Sequence, residues 1–356
     1  MDIRTVRKLR IGYWPLSESL QAAGDRRRLC FWANARGHEI VRNLNQNVDV
    51  IVASENSDFN SMHFNQKSPP IVFDLVDAYL SPSNPYDDFL RGLAKRLSGQ
   101  ISGEIKPFSE HVKYFCQLSS AVICSSPEQK QLIMHHNVNT HVILDSHDEL
   151  VFIDPPKPAS QKKRKQKIIW EGQPATIRGV RDIQSALSTL TKTNHLEFDF
   201  VTDEFYFRLL NKYMKRNTLK ILKKDLHLIA EQVNLVPWST SNLVASAQKS
   251  TVAMIPIDLT IPMHRLKPEN RLLIMWRLGL PCLTSPSPAY IRVAHRAGVN
   301  AVCNSLDEWN RNLFQILEDP EFAYSQTLAG QSYLRENHNR NLLLQKWDTA
   351  FESVLG

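Results

Sequence analysis

Four short segments of the chain hold residue types that can do acid–base or anion chemistry. Asp74 and Asp77 close the apolar run PIVFDLVDAYL (70–80). A carboxylate at the carboxyl end of a buried strand suits a general base or the orientation of a hydroxyl, and equally a helix cap or an ion pair. Asp77 is the better placed, because Asp74 still lies within the run. The segment HRLKPENRLL (264–273) sets Lys267, Glu269, Asn270 and Arg271 at a helix start with Pro268 in its first turn. A cation beside a helix N-terminus suits a phosphate, and a glutamate there can bind sugar or ribose hydroxyls. IIWEG (168–172) runs through Gly172 into a loop carrying Arg178, where a diphosphate can be met; Glu171 is as readily a structural partner. Finally, Gly24-Asp25 precedes Arg26-Arg27-Arg28 at a strand-to-helix loop. That loop reads either as a backbone approach to an anion or as a loop glycine, an N-cap aspartate and a solvated basic turn.

Other chemistries lack their signatures. There is no H-E-x-x-H, G-x-S-x-G, P-loop or full G-x-G-x-x-G, so zinc protease, serine hydrolase, ATPase and ordinary NAD-binding readings lose their usual support. His135, His136 and His141 cluster, but without a carboxylate at ligand spacing, and they read as surface or core residues rather than a metal site.

The elements that must position these residues alternate along the chain. LRIGYW (9–14), VDVIVA (48–53), PIVFDLV (70–76), AVICSS (121–126) and HVILD (141–145) read as buried strands. Helical patterns lie between them near 26–36, 87–118 and 127–136. Residues 154–167, which contain Pro155, Pro156, Pro158 and the run KKRKQK, break the alternation and form the best domain boundary. It then restarts with IIWEG, LEFDFVT (196–202), VNLVP (233–237), TVAMIPI (251–257), LPCLTS (280–285) and NAVCN (300–304), with helical patterns in the gaps, one of them at 204–216. Two doubly wound α/β domains in tandem are predicted, with ligands at the carboxyl ends of their strands and in the cleft the domains face.

The 356 residues include 43 Lys plus Arg and 36 Asp plus Glu, a net charge of +7. The excess is local: 1–156 carries −2, 157–167 carries +6 and 168–356 carries +3. A basic tract without aromatics argues against nucleic-acid binding and leaves peripheral contact with an anionic membrane open. Five scattered cysteines, with no C-x-x-C pair, fit a reducing compartment. No apolar run approaches the ~20 residues of a spanning helix. The expectation is a cytoplasmic protein, peripheral at most to the inner face of a membrane.

The order of segments from 168 to 354 resembles the C-terminal half of GT-B glycosyltransferases, in particular the broad family-four (group 1) type. It is carried by IIWEGQ, VPWSTSNLVASAQKSTVAMIPI, KPENRLLIMWRLGLPCLTSPSPAYIRVAHRAG, LDEWNRNLFQILEDPE and the terminal LLLQKWDTAFESVL. RIGYWP, ARGHEIV and AVICSS are similar to that superfamily's acceptor domain. The resemblance implies an acceptor-side Rossmann-like domain over 1–153, a linker over 154–167, a nucleotide-sugar-binding domain over 168–330 and a helical segment, 331–356, returning toward the first domain. It implies transfer of a hexose-type sugar, without a metal or other cofactor, from a nucleoside-diphosphate donor to a saccharide or lipid-linked acceptor, as in polysaccharide biosynthesis. Asp77 is then the candidate base and Asp25 the second. Gly24, Gly172, Arg178, Lys267, Glu269, Asn270 and Arg271 are the candidate donor-site residues. The paired glutamates usual in the family are absent, Leu266 and Ile274 standing at their positions. That departure keeps two alternatives in view, a catalytically silent partner subunit and a sugar-nucleotide epimerase of the same fold.

Overall fold

The computed structural model describes residues 7–42, 47–58, 68–82, 84–158, 166–193, 196–207 and 215–356. The KKRK tract of the linker lies outside them. The chain divides into two compact units: Met1–Ser146 with Leu266–Pro268 and Arg340–Gly356, and His147–Arg265 with Glu269–Asn339.

Unit 1 is built on a parallel sheet of β1 (Arg10–Trp14), β2 (Glu39–Val41), β3 (Val50–Ser54), β4 (Ile71–Leu75), β5 (Ala121–Cys124) and β6 (Thr140–Val142), in the order β2-β1-β3-β4-β5-β6. Its central strands are buried on both faces, which is why they read as continuous apolar runs. Alternate residues divide between two cores. Ile11, Tyr13, Val50, Val52 and Val72 pack with α1 (Cys30–Arg36) and the last helix of the chain. Ile51, Ala53, Phe73 and Leu75 pack with Phe108, Val112 and Phe115 of α3 (Phe108–Leu118). The predicted helical stretch 87–118 is two helices, α2 (Pro85–Leu97) and α3, because Gly99 and Gly103 take positive φ between them and Pro107 precedes the second. Asn84 caps α2, and Ser126 caps α4 (Pro127–Ile133); each is followed by a proline in the first turn.

The basic turn is buried where solvation was one expectation. One π-type turn (Asp25–Leu29) enters α1 with a kink at Arg28, and the Arg28 side chain is 0% exposed. Its Nε lies 3.0 Å from both oxygens of Asp74 and its Nη2 lies 2.6 Å from Oδ1. Nη1 donates to the Ile143 carbonyl at 2.7 Å and to Asp145 Oδ1 at 3.2 Å. The Trp347 ring covers the guanidinium at 5.9 Å. Asp74 is thus an ion-pair partner. Arg28 binds the carboxyl ends of β4 and β6 to the start of α1.

In unit 2 the strands are β7 (Lys167–Glu171), β8 (Glu197–Thr202), β11 (Val233–Pro237), β12 (Val252–Ile255) and β13 (Cys282–Thr284), parallel in the order β11-β8-β7-β12-β13. Where a helical pattern is expected at 204–216, Phe205–Phe207 and Lys215–Asn217 pair instead as antiparallel strands, β9 and β10, and residues 208–214 lie outside the described set. Aromatic Phe205 and Tyr206 favour a strand, and three residues are too few for either period to show. Helix α5 (Arg178–Thr193) follows β7, α6 (Thr218–Asp225) follows β10, and α7 (Thr240–Lys249) follows β11. Next come α8 (Pro262–Arg265), α9 (Asn270–Arg277) and α10 (Pro288–Ala297). Helices α11 (Leu306–Glu318) and α12 (Pro320–Asn337) complete the unit, and α13 (Arg340–Leu355) belongs to unit 1. Residues 147–158 begin bonded within unit 2: Ile153 N–H donates to Arg277 O at 2.9 Å, and Gln331 Nε2 donates to Ile153 O at 2.8 Å. Among the described residues, no helix is long and apolar enough to cross a membrane.

Replacing Arg28 with Met strands the Asp74 carboxylate in the core, and a loss of about 3–5 kcal/mol in urea denaturation is expected. The double variant Arg28→Met/Asp74→Leu recovers much of that loss, because removing a whole pair is milder than orphaning one member. Equal losses in the single and double variants would count against the pair.

Candidate functional site

In a parallel sheet all carboxyl ends lie along one edge, and both units gather their polar residues there. In unit 1, β3 and β4 pair with Ser54 opposite Asp74, so Glu55 emerges beside the turn Val76–Asp77. Asp25, Asp74 and Asp77, all at this edge, differ in how much of each carboxylate is already engaged. Asp25 is buried and fully bonded: Oδ1 accepts from the Tyr13 hydroxyl at 2.7 Å and the Leu16 amide at 2.8 Å. Its Oδ2 accepts from the Ser17 amide at 2.9 Å and hydroxyl at 2.7 Å. That geometry makes Asp25 the anchor of the loop after β1. Asp74 is committed to Arg28. Asp77 is half-buried, and its carboxylate accepts no hydrogen bond among the described residues. Gly24 lies in the same loop as Asp25; a Cβ there would stand 2.3 Å from Leu16 Cδ1 and 3.5 Å from Val76 Cγ2, so the loop closes against the turn that bears Asp77.

Glu55 was not a candidate, although the reasoning that selected Asp77, a carboxylate just past a buried apolar strand, also selects it. It is 8% exposed. Burial first, and then the neighbouring Asp77 charge, push its carboxyl up to about 8. Close by, burial lowers the Lys95 ammonium to about 8. Its Nζ stands 4.3 Å from the Phe108 ring centroid and 3.1 Å from Gln100 Oε1.

Lys267 is half-buried in the Leu266–Pro268 segment of unit 1, where the Ser126 hydroxyl donates to Leu266 O at 3.1 Å. Pro268 stands just outside α9, which begins at Asn270, and Glu269 occupies the cap position without a side-chain cap bond.

In unit 2, Arg271 from the first turn of α9 donates through Nη1 to Glu171 O at 3.1 Å, at the end of β7. A Cβ on Gly172 would stand 3.0 Å from that nitrogen, so the glycine admits the guanidinium. Arg178, the first residue of α5, is half-exposed and lies 3.8 Å from Asp258, just past β12. Asp258 is buried, which works to raise its carboxyl, but two hydrogen bonds from Thr260 and the charge of Arg178 hold it below the ordinary value. Gly179 brings α5 against β12, because a Cβ there would meet Pro256 O at 2.4 Å. Arg178 and Arg271 therefore stand over the ends of the adjacent strands β12 and β7. Glu269 is buried and paired at both oxygens with Arg292, 3.2 Å each, so its carboxylate is already engaged. Asn270 Oδ1 is buried with no hydrogen-bond partner among the described residues. At the same edge Trp238 Nε1 donates to Glu171 Oε1 at 3.1 Å, while Glu171 Oε2 is buried without a partner. No group of three or more His, Cys, Asp or Glu suited to a metal occurs among the described residues.

The two parallel α/β units match solved structures of GT-B fold at probability 1.00, which shows the fold of the chain as GT-B. WaaG, described as a glycosyltransferase involved in lipopolysaccharide biosynthesis, is 14% identical with a TM-score of 0.56, over 98% of this chain and all of that one. A glycosyltransferase from Rickettsia africae is 11% identical with a TM-score of 0.58, over 98% and 99%. TarM is 12% identical with a TM-score of 0.58, over 85% of this chain, which spans only 54% of TarM's length. A mutant TarM of S. aureus has been solved with fondaparinux, α-GlcNAc-glycerol and UDP. No family model matches the chain, and no curated protein does.

The raised carboxyl of Glu55 has a definite signature in stability. Its folded-state value lies above the ordinary 4.5, so its contribution is complete below that pH and is lost as the pH rises through about 8. The urea midpoint of the wild type should fall across this window by an increment that Glu55→Gln lacks. Parallel curves for the two proteins would show that Glu55 is not so perturbed.

Proposed function

We propose that the chain is a glycosyltransferase that moves a sugar from a nucleoside-diphosphate donor to a hydroxyl of a saccharide or lipid-linked acceptor. The observation that carries this reading is the pair Arg178 and Arg271, set over adjacent strand ends of unit 2 in a GT-B fold. Sugar transfer leaves a diphosphate whose negative charge grows as the glycosidic bond breaks, and fixed cations stabilise that growth more than they stabilise the bound donor. Arg178 and Lys267, with Arg271, supply this charge without a metal. Gly172 lets the backbone of the loop approach the phosphates. Asn270 Oδ1 accepts a hydroxyl of the sugar or ribose, and Glu269 acts through Arg292 to fix the start of α9. In unit 1, Asp77 takes the acceptor proton, its carboxylate being unengaged among the described residues where Asp25 and Asp74 are bonded. The names of the structural neighbours support a sugar nucleotide and a surface saccharide as the substrate classes. The basic linker fits peripheral contact with an anionic membrane, where a lipid-linked acceptor resides.

A second reading has its own observation: with Glu269 occupied by Arg292 and Ile274 buried in the core, no glutamate replaces the missing family pair. A silent partner subunit follows if nucleotides do not bind. An epimerase of this fold would turn over a sugar nucleotide with no acceptor present.

Thermal-shift measurements with a panel of nucleoside diphosphates decide among these. At 100 Kd of ligand the folded state gains about 2.7 kcal/mol, so UDP or another member should raise Tm by several degrees. Arg178→Ala and Lys267→Ala should each weaken nucleotide affinity about tenfold or more, as charge-assisted contacts of roughly 1.5–3 kcal/mol are lost, and so cut the thermal shift at that ligand concentration to about half or less. No response from any nucleotide would refute the donor site, and a response indifferent to both substitutions would refute its location.

A further inference from the structure

The peptide that bears Asp77 is gripped from two elements. Oε2 of Glu55, just past β3, accepts from the Val76 amide at 3.1 Å and the Asp77 amide at 3.0 Å. From α4, Gln129 Nε2 donates to the carbonyls of Leu75 and Asp77, each at 3.0 Å. Gln129 is itself fixed, since its Oε1 accepts from the Ser125 amide at 3.0 Å and its own amide is capped by Ser126 Oγ at 3.1 Å. Both polar groups of the Asp77 backbone are thus held by buried side chains, while the Asp77 carboxylate is left unengaged. Such an arrangement immobilises a functional group without consuming it.

We propose that Glu55 and Gln129 are positioning residues that clamp the peptide of Asp77 at the strand edge. The inference rests on the reading of Asp77 as the base. A neutral side chain would serve a purely architectural turn with a smaller desolvation cost than a buried carboxyl. Burial first, and then Asp77 and Asp74, raise the Glu55 carboxyl, Lys95 lowers it, and the half-buried Tyr79 faces both Glu55 and Asp77. Near neutral pH Glu55 therefore holds its proton, so Asp77 has an uncharged neighbour. Above about 8 a second negative charge appears at the same turn.

The test uses the full chain and needs no substrate. Carboxyl-13C glutamate NMR should show Glu55 titrating near 8 in the wild type and distinctly lower in Asp77→Asn, where the like charge is gone. Hydrogen exchange at the Val76 and Asp77 amides should accelerate about tenfold or more in Glu55→Ala, as expected for a lost bond to a carboxyl group. A Glu55 titration unmoved in Asp77→Asn, or amide exchange unchanged in Glu55→Ala, overturns the clamp. Asp77→Asn alters a half-exposed side chain, so it decides the matter if Glu55→Ala does not fold. The UDP thermal shift of the wild type reports on the donor reading separately. Its absence sinks that reading and leaves the clamp measurable, whereas a normal UDP response with an unmoved Glu55 sinks the clamp alone.

Discussion

A guanidinium cannot lose its proton in a protein interior, so a buried arginine must be surrounded by acceptors or the fold fails. Arg28 imposes that demand on unit 1. Its donors reach Asp74 after the apolar core of β4, the Ile143 carbonyl and Asp145 after β6, and the ring of Trp347 stands over it from α13. Meeting all of them at once fixes the heights of these strand ends relative to each other and the entry angle of α1. The ladder that pairs Ser54 with Asp74 carries this fixed height across to Glu55 on the neighbouring strand. The π-type turn and the unusual backbone at Arg28 are the local accommodation of that side chain.

Unit 2 depends less on buried charge and more on close approach. Gly179 lets α5 touch the end of β12, and Gly330 lets α12 lie against Trp276, where a Cβ would fall 2.4 Å from the ring. In the last turn of α9 the Trp276 carbonyl accepts from Gln331 Nε2 at 2.9 Å as well as from the Gly279 amide at 3.0 Å. These contacts set α9 over the sheet, and its first turn carries Arg271 to Gly172. The Glu269–Arg292 pair ties the same helix start to α10. Positioning of the candidate donor residues is in this sense a product of glycine placement.

The fold class was legible because buried parallel strands are continuous apolar runs, and the breaks between them carry prolines and capping side chains. Segments of mixed character were not. The strands Phe205–Phe207 and Lys215–Asn217 are each too short for a period to show, and the division of 87–118 depended on glycine conformations that only the structure reveals. Arg28 was misjudged in one of its readings because burial of a charge is decided by partners far along the chain, at 74, 145 and 347. At the candidate site, Asp77 was legible from its place after a strand, and Glu55 was legible by the same rule but overlooked. The commitments of Asp25 and Glu269 were not legible, since their bonding partners are set by tertiary folding.

The assignment of α13 to unit 1 has a bearing on synthesis. Trp347 and Phe351 complete the core that includes Trp32 and Ile11, and Asp348 accepts from Trp32 Nε1 at 2.7 Å. These residues leave the ribosome after every strand of unit 2 has emerged. Until α13 arrives, the apolar face that Trp347 and Phe351 cover stays open, as does the arginine beneath Trp347. A nascent chain halted before residue 340 has everything unit 2 needs and lacks the piece that closes unit 1. For this protein α13, which follows unit 2 in the chain, is the closing element of unit 1.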